Sequence, residues 1–184
     1  MKTPQLGRRR RGFTLVESMA TIAVLGILGS AASFMIVDAV DDYTDASVTV
    51  QLHAEMSIAL DRAMREIRKI ELDAGAADVA PDITSMAVTL LQWEDSSGNA
   101  YQLGKSGSEL QLQIAGGTVA TLLTDVTALA ISIFDEDNAD LGVSCAGATC
   151  DAVRRIVIDV TTQRSGVTES LRFKAFIRST MSGA

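Results

Sequence analysis

A run of twenty residues without a charge, residues 18–37 (SMATIAVLGILGSAASFMIV), constrains this chain more than any other feature. As a helix it would extend for about 30 Å, the thickness of a bilayer's hydrocarbon core. Its flanks are unequal. Residues 1–12 hold Lys2, Arg8, Arg9, Arg10 and Arg11 and no acid, whereas Asp38, Asp41, Asp42 and Asp45 follow the run. A basic flank is retained on the cytoplasmic side. The expectation is a single-pass segment in the cytoplasmic (inner) membrane, with its N-terminus inside and the rest of the chain periplasmic or extracellular.

Charge and proline placement extend this reading. The 184 residues carry a net charge of −7, from 16 Lys and Arg against 23 Asp and Glu. Without the five N-terminal cations the count is 11 against 23, a net of −12. So acidic a body repels phosphates, which argues against a nucleic-acid partner. The only prolines are Pro4 and Pro81, so nothing between them forbids one long helix.

Helical spacing continues past the acidic flank. Val48, Leu52, Met56, Ala59, Ala63, Ile67 and Ile70 recur by threes and fours, and Leu60 and Met64 widen the stripe. Asp61 with Arg65, and Arg62 with Glu66, have the spacing of i,i+4 ion pairs. Asp73, Ala74 and Gly75 read as the stop. The predicted helix covers residues 13–72, apolar all round at first and amphipathic afterwards.

Beyond Pro81 the period changes to two. Val88 and Leu90 alternate before Trp93. Tyr101 and Leu103, then Leu110, Leu112 and Ile114, then Leu129, Ile131 and Ile133 follow, separated by Gly-rich turns. Ile156, Ile158 and Val160, and finally Leu171, Phe173, Ala175 and Ile177, complete the pattern. Roughly six strands with no helix between them predict an antiparallel sheet built from hairpins, its apolar face covered by the amphipathic half of the helix. The fold class is therefore α+β. The division expected is 1–12 as a basic leader, 13–40 as the membrane segment, 41–73 as its amphipathic continuation and 82–184 as a β-rich domain.

Three kinds of N-terminus fit the apolar run. A cleaved secretory signal would use a site such as Ala31-Ala32-Ser33, and a signal anchor would stay uncut. Neither accounts for Glu17. A carboxylate inside an apolar segment costs several kcal/mol unless paired, although it would be tolerated in the interface beside Arg11. Arg11, Gly12, Phe13, Thr14, Leu15, Val16 and Glu17 in succession, after a short basic leader and before about twenty apolar residues, closely resemble the N-terminus of type IV prepilins and type II secretion pseudopilins. This resemblance covers about the first 40 residues in detail. It implies that a prepilin peptidase cuts between Gly12 and Phe13 and that Phe13 is then N-methylated. It further implies that Glu17 meets a neighbouring subunit's terminal amine during assembly. The implied partners are prepilin peptidase, other pilins or pseudopilins, an inner-membrane assembly platform and membrane lipid. The proline that many pilins carry about twenty residues into the mature helix is missing here; Gly26 and Gly29 are the only loosening residues nearby. A long helix followed by a strand-rich domain is also the pilin layout. Several hairpins at this size look most like a J-type minor pseudopilin or a PilW-like minor pilin, and Glu17 speaks against a K-type tip subunit.

Other candidates are weaker. Asp135, Asp137 and Asp140 lie between two strands in an oxygen-rich loop that would suit Ca²⁺, but no EF-hand spacing is completed and a solvated acidic turn explains them more simply. Cys145 and Cys150 would face an oxidising compartment, which favours a short disulfide over free thiols. Two cysteines and the single His53 do not complete a zinc site unless carboxylates join. Gly104, Lys105 and Ser106 fall short of a phosphate-binding loop, because Asn99 stands where the first glycine is needed. No nucleophile elbow or histidine constellation points to an enzyme, and no cofactor is implied. The expected function is a minor structural subunit of a type II secretion pseudopilus. The alternatives are a minor type IV pilin acting in assembly, adhesion or DNA uptake, and a signal-anchored protein that never polymerises.

Overall fold

One helix, α1 (Leu15–Ile67), opens the computed structural model, which describes residues 14–76 and 79–178. The chain divides into two compact units, Met1–Asp45 and Ala46–Ala184. In the first unit every described residue is exposed. In the second, α1 buries Leu52, Met56, Ala59, Leu60, Ala63, Met64 and Ile67, and Ile70 follows just past its end. These are the residues of the predicted stripe, apart from Val48, which is half-buried. The helix ends five residues before the expected Leu72. Its last turn tightens into i→i+3 bonds, from the amides of Lys69 and Ile70 to the carbonyls of Glu66 and Ile67. Asp61 pairs with Arg65 at 3.3 Å as the spacing predicts. Glu66 instead takes Lys69 at 3.0 Å rather than Arg62.

Ten strands follow. A six-stranded antiparallel sheet contains β1 (Ile83–Ala87), β2 (Leu90–Glu94), β3 (Ala100–Ser106), β4 (Glu109–Gln113), β5 (Val119–Leu123) and β8 (Cys145–Ala146), in the order β5-β4-β3-β2-β1-β8. A four-stranded sheet contains β6 (Val126–Phe134), β7 (Asp140–Gly142), β9 (Arg155–Arg164) and β10 (Val167–Phe176), in the order β10-β9-β6-β7. Both sheets contribute to one apolar core with the second half of α1. Leu91, Trp93, Leu103, Leu110 and Leu112 come from the first sheet, and Ile131, Ile133, Ile156, Ile158 and Val160 from the second. The α+β, pilin-like layout of a long helix on antiparallel sheet is thus the fold of this chain.

Two expectations need correction. The sequence suggested one sheet of roughly six strands, and the chain makes two sheets, because β6 leaves the first sheet after Asp125, whose φ of 60° turns the backbone sharply. The alternation in the sequence places Val88 and Leu90 on one strand face. Val88 and Thr89 instead form the two-residue link of the β1–β2 hairpin, so Leu91 and Trp93 face the core. The β-branched character of that link hid the turn. Gly104 has a packing reason: a Cβ there would meet Leu90 Cδ1 at 2.9 Å and the Thr89 carbonyl at 3.2 Å. The glycine of the imperfect phosphate-loop pattern therefore serves strand packing.

Candidate functional site

The first unit carries the residues that the sequence marks for processing and assembly. Gly12 and Phe13 lie outside the described residues, as do the basic residues before them. Glu17 stands in the first turn of α1. Its backbone amide donates to Thr14 Oγ1 at 3.3 Å, while its Oε2 accepts from the Thr14 amide at 3.4 Å and the Thr14 hydroxyl at 3.3 Å. This reciprocal exchange is a capping box, which answers amides that a helix start would leave without partners. The pattern Thr14-x-x-Glu17 was visible in the sequence and was the signal for it. Glu17 therefore has a local structural role in addition to the assembly role the resemblance implies. All three contacts are long, and a carboxylate offers about four acceptor positions, so capacity remains for a further donor. The positive end of the helix dipole also favours an anion here.

The surface beyond Glu17 is apolar on every side. Large hydrophobic side chains from Leu15 through Val40 are 55–79 % exposed. Burying one such side chain is worth about 1.5–3 kcal/mol, so this segment is suited to lipid or to other helices rather than to water. By length and composition α1 is able to cross a membrane. Its polar groups are settled internally. Ser18 and Ser33 donate to carbonyls four residues back, Thr21 donates to the Glu17 carbonyl at 2.6 Å, and Ser30 donates to the Ile27 carbonyl at 2.8 Å. Gly26 and Gly29 have open space where a Cβ would stand, so no contact among the described residues requires glycine at either position. The carboxylates of Asp38, Asp41, Asp42 and Asp45 close the segment and form no ion pair among the described residues.

The remaining candidates belong to the second unit. Cys145 and Cys150 are joined in a disulfide, with Cα atoms 5.3 Å apart. It ties β8, which pairs with Met86 of β1, to a single turn of 3-10 helix, Gly147–Cys150. Asp135, Asp137 and Asp140 are not gathered into a metal-holding group, and no cluster of three or more His, Cys, Asp or Glu side chains suited to a metal occurs among the described residues. The reason is local. Asp135 caps the β6–β7 hairpin by accepting from the Ala139 amide at 2.7 Å, and Asp140 accepts from the Gly142 amide at 2.8 Å. His53 is exposed.

The sequence reading missed a charged tie that fastens the second half of α1 to the sheets. Arg164 of β9 donates to both carboxylate oxygens of Glu55, at 3.1 and 2.8 Å, and through Nε to Asp125 at 2.8 Å. These hydrogen bonds lower the Glu55 pKa below its ordinary value, with the Gln51 side chain adding to the effect. The partners are far apart in sequence, so no local pattern announced them.

Residues 7–33 match the family described as the prokaryotic N-terminal methylation motif. No curated protein matches the chain. The motif takes in the second half of the leader, Gly12, Phe13, Glu17 and most of the apolar run, while the β-rich domain lies outside it. The chain thus carries a prepilin-type N-terminus, which supports a place in the type IV pilin and pseudopilin superfamily.

Proposed function

We propose that this protein is a non-enzymatic structural subunit, anchored in the cytoplasmic membrane by its N-terminal helix and assembled through that helix into a pilus-like filament. The observation that carries the reading is the methylation motif at the head of a helix whose apolar surface is exposed on all sides. Prepilin peptidase cuts between Gly12 and Phe13 and methylates the new terminus. Cleavage there removes the basic leader but leaves the apolar segment attached, so the product remains in the membrane. In assembly the helix passes from lipid into a bundle of like helices. Glu17 then answers the terminal amine of a neighbour in a low-dielectric setting, where a charge pair is far stronger than in water. The finer reading we favour is a minor subunit of a type II secretion pseudopilus. It is supported by the succession of long helix and hairpin-built sheets.

Mass spectrometry of the protein from its native membrane tests this directly. The expected mature chain begins at Phe13 and carries one methyl group. Gly12→Leu is expected to leave the precursor uncut. Glu17→Ala is expected to permit cleavage and to reduce incorporation into filaments at least tenfold. A protein that keeps its four consecutive arginines, or that loses the whole apolar run, would refute the reading.

A further inference from the structure

In so acidic a chain the cations are expected to be scattered and paired, yet five of them line one cleft. Arg62, Arg65, Arg68, Lys69 and Arg178, with Glu66, line a cleft of about 560 Å³ where the end of α1 meets the segment that follows β10. Two of the five are neutralised locally, Arg65 by Asp61 at 3.3 Å and Lys69 by Glu66 at 3.0 Å. Arg62, Arg68 and Arg178 form no ion pair among the described residues. The negative end of a helix attracts cations in its last turn, which accounts for Arg65 and Arg68 but not for Arg62 or for Arg178, which is not on the helix. Exposed, unopposed guanidinium groups gathered in a concave site attract carboxylates, to which they donate paired hydrogen bonds.

The same chain offers the complement. Residues 38–45 (DAVDDYTD) concentrate four carboxylates in eight positions, with no cation among them. All four aspartates are exposed and unpaired among the described residues. We infer that the cleft lined by Arg62, Arg65, Arg68, Lys69 and Arg178 is a docking site for the acidic segment 38–45 of a second copy of this chain. The contact rests on the assembly reading above in its coarser form, a filament in which copies of this chain adjoin, and not on the minor-subunit reading. It adds to the Glu17 pairing a second, solvent-exposed electrostatic contact that sets which neighbour a subunit accepts and at what offset. Exposed pairs of this kind act mainly on specificity and encounter rate, and salt weakens them.

Lys69 provides a direct probe, because a carbodiimide joins a lysine amine to a carboxylate with no spacer. The experiment uses the protein assembled into filaments, where neighbouring copies are offset along the axis. The expected product is a covalent dimer in which mass spectrometry finds Lys69 joined to Asp38, Asp41, Asp42 or Asp45 of the other copy. Arg62→Glu with Arg68→Glu is expected to lower its yield at least fivefold, as is Asp41→Lys with Asp42→Lys, and combining the two reversals is expected to restore most of it. Arg62→Gln with Arg68→Gln, a milder change, should give an intermediate loss with the Cys145–Cys150 disulfide intact. At about 1 M salt, where the screening length is about 3 Å, the yield should also fall. A Lys69 link found only to Glu66 of its own chain, only to a different protein, or at a yield that neither reversal alters would overturn the inference. Glu17→Ala separates the two levels. If it blocks incorporation while the wild type lacks the Lys69 link, assembly stands and this contact fails. If it changes neither incorporation nor the link, the contact stands and the Glu17 role fails.

Discussion

The two parts of α1 obey the same helical geometry and reach opposite outcomes. In the Met1–Asp45 unit its apolar side chains surround the helix and all are exposed. In the Ala46–Ala184 unit most of them gather in a stripe, and Leu52, Met56, Leu60, Ala63 and Ile67 vanish into the core while Val50 and Ile58 stay exposed. Both are rich in Ala, Ile, Leu and Met, but only the second interleaves them with charges of both signs, at Glu55, Asp61, Arg62, Arg65 and Glu66. The outcome follows from that arrangement: a one-sided stripe is satisfied by the chain's own sheets, whereas an all-round apolar surface needs surroundings that the chain does not supply.

The sharpest way to break this comparison is to truncate one leucine in each part. Leu60→Ala should destabilise the domain by about 2–5 kcal/mol through cavity formation, whereas Leu25→Ala should leave it unchanged, both read by chemical denaturation in detergent. A destabilising Leu25→Ala would mean that the exposed segment is held by the domain after all. Leu25→Arg tests the other side. A cation at the centre of a membrane helix costs about 2.5–3.5 kcal/mol on insertion scales, so carbonate extraction should release most of this variant while the disulfide-bonded domain stays folded. Replacing Cys145 and Cys150 together by alanine should cost about 2 kcal/mol, the amount expected for so short a closed loop, with no effect on membrane retention.

The smallest effect concerns pH. Asp82 is half-buried, and burial first, then the charges of Asp73, Glu94, Asp95 and Glu71, hold its carboxyl above the ordinary value of 3.8. The folded state therefore holds this proton more tightly than the unfolded chain. Its contribution to stability falls as pH rises from 3.8 through the raised value and is fully unfavourable above it. Asp82→Asn should raise the unfolding midpoint slightly at pH 7, and the gain should disappear below 3.8. Glu55 has the opposite sign: its lowered pKa adds stability above its ordinary value of 4.5 that is lost as pH falls through the lowered one. A gain for Asp82→Asn that persisted in acid would rule out the electrostatic origin.

What the sequence disclosed follows from how far apart the interacting residues lie. The apolar run, the stripe on α1 and the alternation of Ile156, Ile158 and Val160 are contiguous patterns, each reporting its own burial. Where the answer depended on distant partners, the pattern was silent. Arg164 finds Glu55 across 109 positions, and the division of strands between two sheets is decided at Asp125 by the direction of a single turn. The strand pairing of Val88 and Leu90 failed for another reason, since a β-branched residue can occupy a tight link as well as a strand. At the candidate site, Thr14 and Glu17 have the spacing of a capping box, a contiguous pattern that sits beneath the more conspicuous charge of Glu17 in an apolar segment.

The hydroxyl groups of the apolar run have a consequence for traffic between environments. Ser18, Thr21, Ser30 and Ser33 each return their proton to a carbonyl of the same helix. No outside acceptor is recruited, so none has to be surrendered when the surroundings change from hydrocarbon tails to packed side chains. Such a rod brings its own polar satisfaction with it into whatever apolar surroundings it meets.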